Sequence, residues 1–299
     1  MSAASERRLT DKMVEHYWEH GYTLVPGVFD KKRIQDYLDR FDGLVEGTIP
    51  RADNMLVMRD IMIAKGAVQA RNRAEEIAKI QDFESDEVLW SYVTDPHLLD
   101  CIDRIVGHDV FTLHTMLINK PPNVDGRHPL HQDLLYFPFR PADKIVAGWT
   151  ALERITKENG CLTVVPGSHH NGLLKHENPD WEYLNGAYFG AQGVGAETER
   201  VYIEMEPGDT VLFHPITLHG SGRNKTQGFR RAISAHFAST ECEWEWNIQR
   251  FVKRKYKIVR GEGVGTHWKG SRNDGPGSVD PLDYFPKLDT LKRARSGRS

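Results

Sequence analysis

The sequence predicts a mainly β fold with helical support, a double-stranded β-helix (jelly roll) of the cupin-like kind. From about residue 109, short β-branched and aromatic runs alternate with turn residues, the texture of a closed double-sheet fold. Amphipathic helical patterning is confined to the first third of the chain. At 299 residues the chain is long enough to fill one such domain.

Within the helix-rich part, residues 1–108, residues 10–21 carry an apolar stripe of Met13, Val14, Tyr17 and Trp18, with Gly21 placed to end the helix. A short strand over 22–25 stops at Pro26-Gly27. Asp30 caps a second helix with Ile34, Tyr37, Leu38 and Phe41 on one face. A later helix pair splits at Pro96; its second member starts on Asp95 and Pro96, carries Leu98, Leu99, Ile102 and Ile105, and ends at Gly107. The β-rich core, 109–240, holds strands over 110–119, 145–152, 162–165, 201–205, 210–213 and 231–238. Pro166-Gly167, Pro207-Gly208-Asp209 and Gly220-Ser221-Gly222 stand between them as turns. One domain over 1–269 is expected, with a poorly ordered polar tail over 270–299.

A net charge of -3 gives no global field favouring nucleic acid or an anionic membrane. No apolar run approaches the ~18 to 20 residues that span a bilayer, and residues 1–10 lack the apolar core of a secretory signal. Cys101, Cys161 and Cys242 are odd in number and far apart, which predicts packing residues in a reducing compartment. Together these features predict a soluble intracellular protein.

Chemistry concentrates at His131-Gln132-Asp133. On an extended segment residues i and i+2 share a face, so His131 and Asp133 can reach one ion. His219 follows an apolar run and supplies a second imidazole. Two imidazoles and one carboxylate occupy one face of an octahedron and leave three positions open, as dioxygen chemistry at iron(II) requires. The triplet alone is weak among 14 histidines, and the same ligand types bind zinc. Eleven residues beyond His219, Arg230 opens a strand that places Arg230, Ala232 and Ser234 on one face and Ile233 and Phe237 on the other. A guanidinium followed by small residues is poor core filling and suits a pocket for a carboxylate.

Four stretches carry a resemblance: HTMLINKPP (114–122), HPLHQDLLYFPFR (128–140), NGCLTVVPGSH (159–169) and HPITLHGSGRNKTQGFR (214–230). In that order they resemble the phytanoyl-CoA dioxygenase family, and its acyl-CoA-hydroxylating branch in particular. The resemblance implies iron(II) held by His131, Asp133 and His219, and 2-oxoglutarate as cosubstrate, with ascorbate as an auxiliary reductant. It assigns Arg230 to the distal carboxylate of 2-oxoglutarate, with the Ser221 hydroxyl beside it. Trp149, Gln132 and Met116 would line the cosubstrate site, and Lys79 would reach it from the helical region. Read without the resemblance, Trp149 and Met116 are equally core residues and Lys79 a solvated surface lysine. Halogenating relatives lack the ligating carboxylate, so Asp133 implies hydroxylation.

The same resemblance implies a 3-methyl-branched fatty acyl-CoA, hydroxylated at carbon 2 in fatty acid α-oxidation, with release of succinate and CO2. The run Leu134-Leu135-Tyr136-Phe137-Pro138-Phe139 is expected as an apolar wall beside the metal pair or as ordinary core. Leu135 stands where near relatives carry a histidine. Arg250, Lys253, Arg254, Lys255 and Lys257 are candidates for CoA phosphates, with a solvated face as the plainer reading. Rival readings are a 2-oxoglutarate hydroxylase of a free small molecule, a non-catalytic jelly-roll binder and a zinc hydrolase. Animal relatives are peroxisomal, but Gly297-Arg298-Ser299 is not the Ser-Lys-Leu address, which leaves a cytoplasmic, bacterial setting open.

Overall fold

Each principal helix begins where a side chain caps it. In the computed structural model, which describes residues 8–122, 124–182, 188–245, 256–260 and 278–279, Thr10 Oγ1 accepts the Met13 N–H at 3.3 Å to open α1 (Asp11–His20). Gly21 closes it in the left-handed region, at φ 82°, and donates its N–H to Tyr17 O. Strand β1 (Tyr22–Val25) follows, and Asp30 Oδ1 accepts the Arg33 N–H at 2.9 Å to cap α2 (Lys31–Glu46). Next come β2 (Leu56–Arg59), the short helices α3 (Ile61–Ala64) and α4 (Arg73–Glu76), β3 (Ile77–Gln81), α5 (Glu87–Val93) and α6 (Pro96–Val106). Asp95 caps α6 and Pro96 takes its first turn, as expected.

The β-rich part supplies β4 (Val110–Lys120), β5 (His128–His131), β6 (Phe139–Arg140), β7 (Ile145–Ala151), β8 (Leu162–Val164), β9 (His176–Glu177) and β10 (Gly190–Ala191). Then follow β11 (Val201–Ile203), β12 (Thr210–Phe213), β13 (His219–Ser221), β14 (Arg230–Ser239), β15 (Glu243–Trp244), β16 (Tyr256–Arg260) and β17 (Ser278–Val279). The larger sheet runs β1-β12-β7-β14-β4-β16-β17, with β3 also on β4 and β2 on β3. The smaller sheet runs β11-β8-β13-β5. Every pairing among the described residues is antiparallel, and the two sheets face each other as a jelly roll.

Strand alternation sorts the core into two sides. Val146, Leu212, Ile233 and Phe237 face the helices, packing with Tyr37, Phe41, Leu98 and Ile102. Ala147, Trp149, Val211 and Phe213 face inward against Leu162, Val164 and Ile203 of the smaller sheet. Burying each large apolar side chain stabilises the fold by roughly 1.5–3 kcal/mol. Tyr92 of α5 adds a polar tie, donating to Gly148 O and meeting Thr150 Oγ1, both at 3.1 Å.

The helix-rich first third also holds two strands that its sequence did not reveal: β2 and β3 extend the larger sheet there, and Lys79 sits on β3 opposite Ile118. Gly220 and Ser221, read as part of a turn, belong to β13, because they complete the smaller sheet. Of the two readings of the run from Leu134 to Phe139, core is the one that holds, with Leu134, Phe137 and Phe139 packed on Phe111, Leu113 and Ile145. All three cysteines are free and buried. Among the described residues no helix is long and apolar enough to cross a membrane. Of the proposed tail, only Ser278–Val279 lies among the described residues, paired with Tyr256 and Lys257. Arg250, Lys253, Arg254 and Lys255 lie outside them, while Lys257 donates to Glu84 O at 3.1 Å and stacks on Trp90.

Candidate metal and cosubstrate site

β13 runs antiparallel to β5, and the register sets His219 directly opposite His131. Asp133 follows two residues later, where the chain leaves the strand for a 3-10 turn, Asp133–Tyr136. Gln132 between them keeps extended angles, which turns Asp133 to the His131 side. Ligand atoms of His131, Asp133 and His219 all lie within 4.8 Å of one another, so the three could hold one ion. His131 Nε2 is 3.2 Å from Asp133 Oδ1, and His219 Nε2 is 3.5 Å from Oδ2. Gly220 permits this approach: a Cβ there would stand 2.9 Å from His128 O and 3.0 Å from Pro129 O.

Hydrogen bonding prepares both imidazoles for a metal. His131 Nδ1 lies 2.9 Å from Pro129 O, and His219 Nδ1 lies 2.9 Å from Thr217 O. A carbonyl only accepts, so each Nδ1 carries the proton and each Nε2 presents its lone pair to the centre. Burial, then the neighbouring His131, pushes the His219 pKa down to about 4, which keeps it neutral at pH 7. Burial alone would raise the Asp133 carboxyl. The facing imidazoles of His219 and His236, the latter donating a hydrogen bond, outweigh it and hold Asp133 well below the usual carboxylate range. Neutral imidazoles and an ionised carboxylate are the states a divalent cation requires.

The same cavity extends past the triad to Arg230, the first residue of β14. Arg230 is 2% exposed, and burial lowers its pKa to about 10, still a cation at neutral pH. It has no ion pair with any described residue, and its Nε finds no acceptor. Its guanidinium lies 5.5 Å from the centre of the Trp149 ring. A buried charge left so is costly unless a ligand completes it. Ser221, Trp149, Met116 and Lys79 line this cavity too, and the Lys79 ammonium lies 5.3 Å from the Tyr188 ring centre.

Gln132 does not join them. Its amide donates to Gly172 O and Ile216 O at 2.8 Å and accepts the Leu174 N–H at 2.7 Å, tying loops on the far side of the strand. A residue between two that face the cavity points away from it. His236, Lys120, His128 and Tyr188 line the cavity although sequence reasoning assigned them nothing. Parity would have found two of them: His236 follows Arg230, Ala232 and Ser234 at steps of two, and Lys120 follows Met116 and Ile118.

Dioxygenases that couple iron(II) to 2-oxoglutarate need an open metal face beside an anchor for a diacid, and this jelly roll supplies both; the protein is an enzyme of that class. The family model described as phytanoyl-CoA dioxygenase (PhyH) matches residues 17–232. A Caenorhabditis elegans relative named probable phytanoyl-CoA dioxygenase is 47% identical over 232 residues, covering 75% of this chain and 74% of its own. The human peroxisomal phytanoyl-CoA dioxygenase is 43% identical over 240 residues, covering 79% of this chain and 70% of its own. The epimerase SnoN, solved with Fe3+, alpha ketoglutarate and nogalamycin RO, shares the fold at a TM-score of 0.59 and 22% identity, covering 79% of this chain and 85% of that one. The chain belongs to the phytanoyl-CoA dioxygenase family.

Proposed function

We propose that the protein hydroxylates carbon 2 of a fatty acyl-CoA, a 3-methyl-branched one such as phytanoyl-CoA, with conversion of 2-oxoglutarate to succinate and CO2. The observation that carries the cosubstrate half is Arg230, a buried guanidinium with no described acidic partner, in the cavity of the His131–Asp133–His219 cluster. The acyl-CoA half rests on the names of the relatives. By the same analogy we propose α-oxidation of branched fatty acids as its setting, in a peroxisome where the cell has one.

In this reading His131, Asp133 and His219 would hold the metal. Bound there, iron(II) supplies dioxygen activation and couples decarboxylation of the keto acid to hydroxylation. Arg230 binds both oxygens of the distal carboxylate, with the Ser221 hydroxyl beside it. Trp149 and Met116 fix the plane of the diacid, and Lys79 closes its side from β3. Gln132 holds the loops that carry the triad. Ile61, Pro121, Trp181 and Tyr188 line the same cavity and would offer the substrate apolar surface.

Oxygen consumption and succinate formation, measured with iron(II), 2-oxoglutarate and a panel of branched and straight acyl-CoAs and their free acids, test this. Branched acyl-CoAs should give the largest stimulation. Stimulation by free acids and none by thioesters would replace this substrate with a free small molecule.

A further inference from the structure

Lys120 and Arg230 are direct partners in the register of β4 and β14. Two basic side chains therefore stand side by side in the cavity wall, 4% and 2% exposed, and neither has an ion pair with any described residue; burial, then the neighbouring Arg230, pushes the Lys120 pKa well below the usual lysine range, a shift that an anion bound beside it would oppose. Like charges at opposed strand positions repel, and both have lost their water. Such a pair persists where something anionic is meant to lie against it.

The Lys120 side chain is also held still. Cβ atoms placed at Gly126 and Gly160 would stand 3.3 Å from its Cγ and 3.1 Å from its Cδ, so the stem runs between two glycines. Asn224 Nδ2 donates to the Lys120 carbonyl at 3.0 Å. At the tip, Nζ donates to Ser221 Oγ at 2.8 Å and to Gly222 O. The first of these bonds fixes what Ser221 can do. With a lysine proton on its oxygen, the hydroxyl keeps its own proton to donate elsewhere.

We propose that Lys120 is a positioning residue of the diacid anchor: it turns the Ser221 hydroxyl into a donor and sets a second basic group beside Arg230. This inference rests on the 2-oxoglutarate reading and deepens it. The distal end becomes a three-part anchor of guanidinium, hydroxyl donor and buried lysine, selective for cosubstrates that are acidic at both ends.

The test is anaerobic calorimetric titration of the iron(II)-loaded protein with 2-oxoglutarate and with 2-oxobutyrate, which keeps the keto acid and lacks the distal carboxylate. Lys120→Met should weaken 2-oxoglutarate binding on the order of tenfold to a hundredfold, the worth of a charge-assisted hydrogen bond. It should leave 2-oxobutyrate binding and kcat at saturating 2-oxoglutarate unchanged, and Lys120→Arg should recover part of the loss. Combined with Ser221→Ala, the loss should be less than the sum of the two single losses. Lys120→Gln serves the same comparison if the methionine variant does not fold. Equal weakening of both ligands would make Lys120 a merely structural tie, and no change in either would remove it from the site; both outcomes overturn the inference. Wild-type protein without iron-dependent 2-oxoglutarate binding would overturn the functional reading itself, and this inference with it.

Discussion

His236 Nε2 lies 2.7 Å from Asp133 Oδ2 and donates to it, joining the middle of the larger sheet to the carboxylate at the edge of the smaller one. The His236 ring is 2% exposed and rests on Phe137, ring centres 4.9 Å apart. Asp133 is thereby held from behind while His131 and His219 face it. A carboxylate gripped this way keeps one rotamer and its charge, which lowers the cost of organising a metal site.

Removing that grip should loosen the metal. His236→Phe should lower iron(II) affinity roughly 10–100-fold, read by competition with a chelator, while His236→Gln, which can place an N–H near the same point, should lose less. Unchanged affinity in His236→Phe would mean that Asp133 is held by other groups.

Arg230→Met should act with opposite signs on two measurements. Without 2-oxoglutarate the variant should be at least as heat-stable as wild type, because an unpaired buried charge has gone. With 2-oxoglutarate it should lose about 2–5 kcal/mol of binding at unchanged iron content. Thermal unfolding with and without the diacid checks both.

Gly220→Ala should disturb the triad without touching a ligand. Its methyl would meet His128 O at 2.9 Å and Pro129 O at 3.0 Å, and both are backbone atoms. The β5–β13 pairing must open, at roughly 1–3 kcal/mol of stability, and His219 moves with it. Iron affinity and melting temperature should fall together.

Asp86 separates stability from chemistry. Its side chain is fully buried, pairs with Arg40 Nη2 at 2.9 Å and accepts the Leu89 N–H at 3.0 Å to cap α5. Asp86→Ala should cost about 3–5 kcal/mol in denaturant unfolding. Iron affinity should be unchanged below the transition, since Asp86 is absent from the cavity wall.

Local signals carried far in this chain. Asp30 and Asp95 mark helix starts because capping is decided within a few residues, and those helices form as read. Parity placed Arg230 and Ser234 on one face of β14, and both line the cavity. The same parity argued against Gln132, which the family resemblance had put in the site. What stayed hidden depends on pairings far apart in sequence. Lys79 reaches the cavity from a strand because β3 finds β4 across 30 or more residues. Lys120 and Arg230 become neighbours only when β4 and β14 pair, and no local pattern shows these two basic side chains meeting.

The central claim is that His131, Asp133 and His219 hold the iron at which 2-oxoglutarate is consumed. Iron content and succinate formation, measured together in Asp133→Ala, test it most directly. Loss of both, with the fold intact by circular dichroism, is the predicted result. Near-wild-type succinate formation with normal iron content would contradict it.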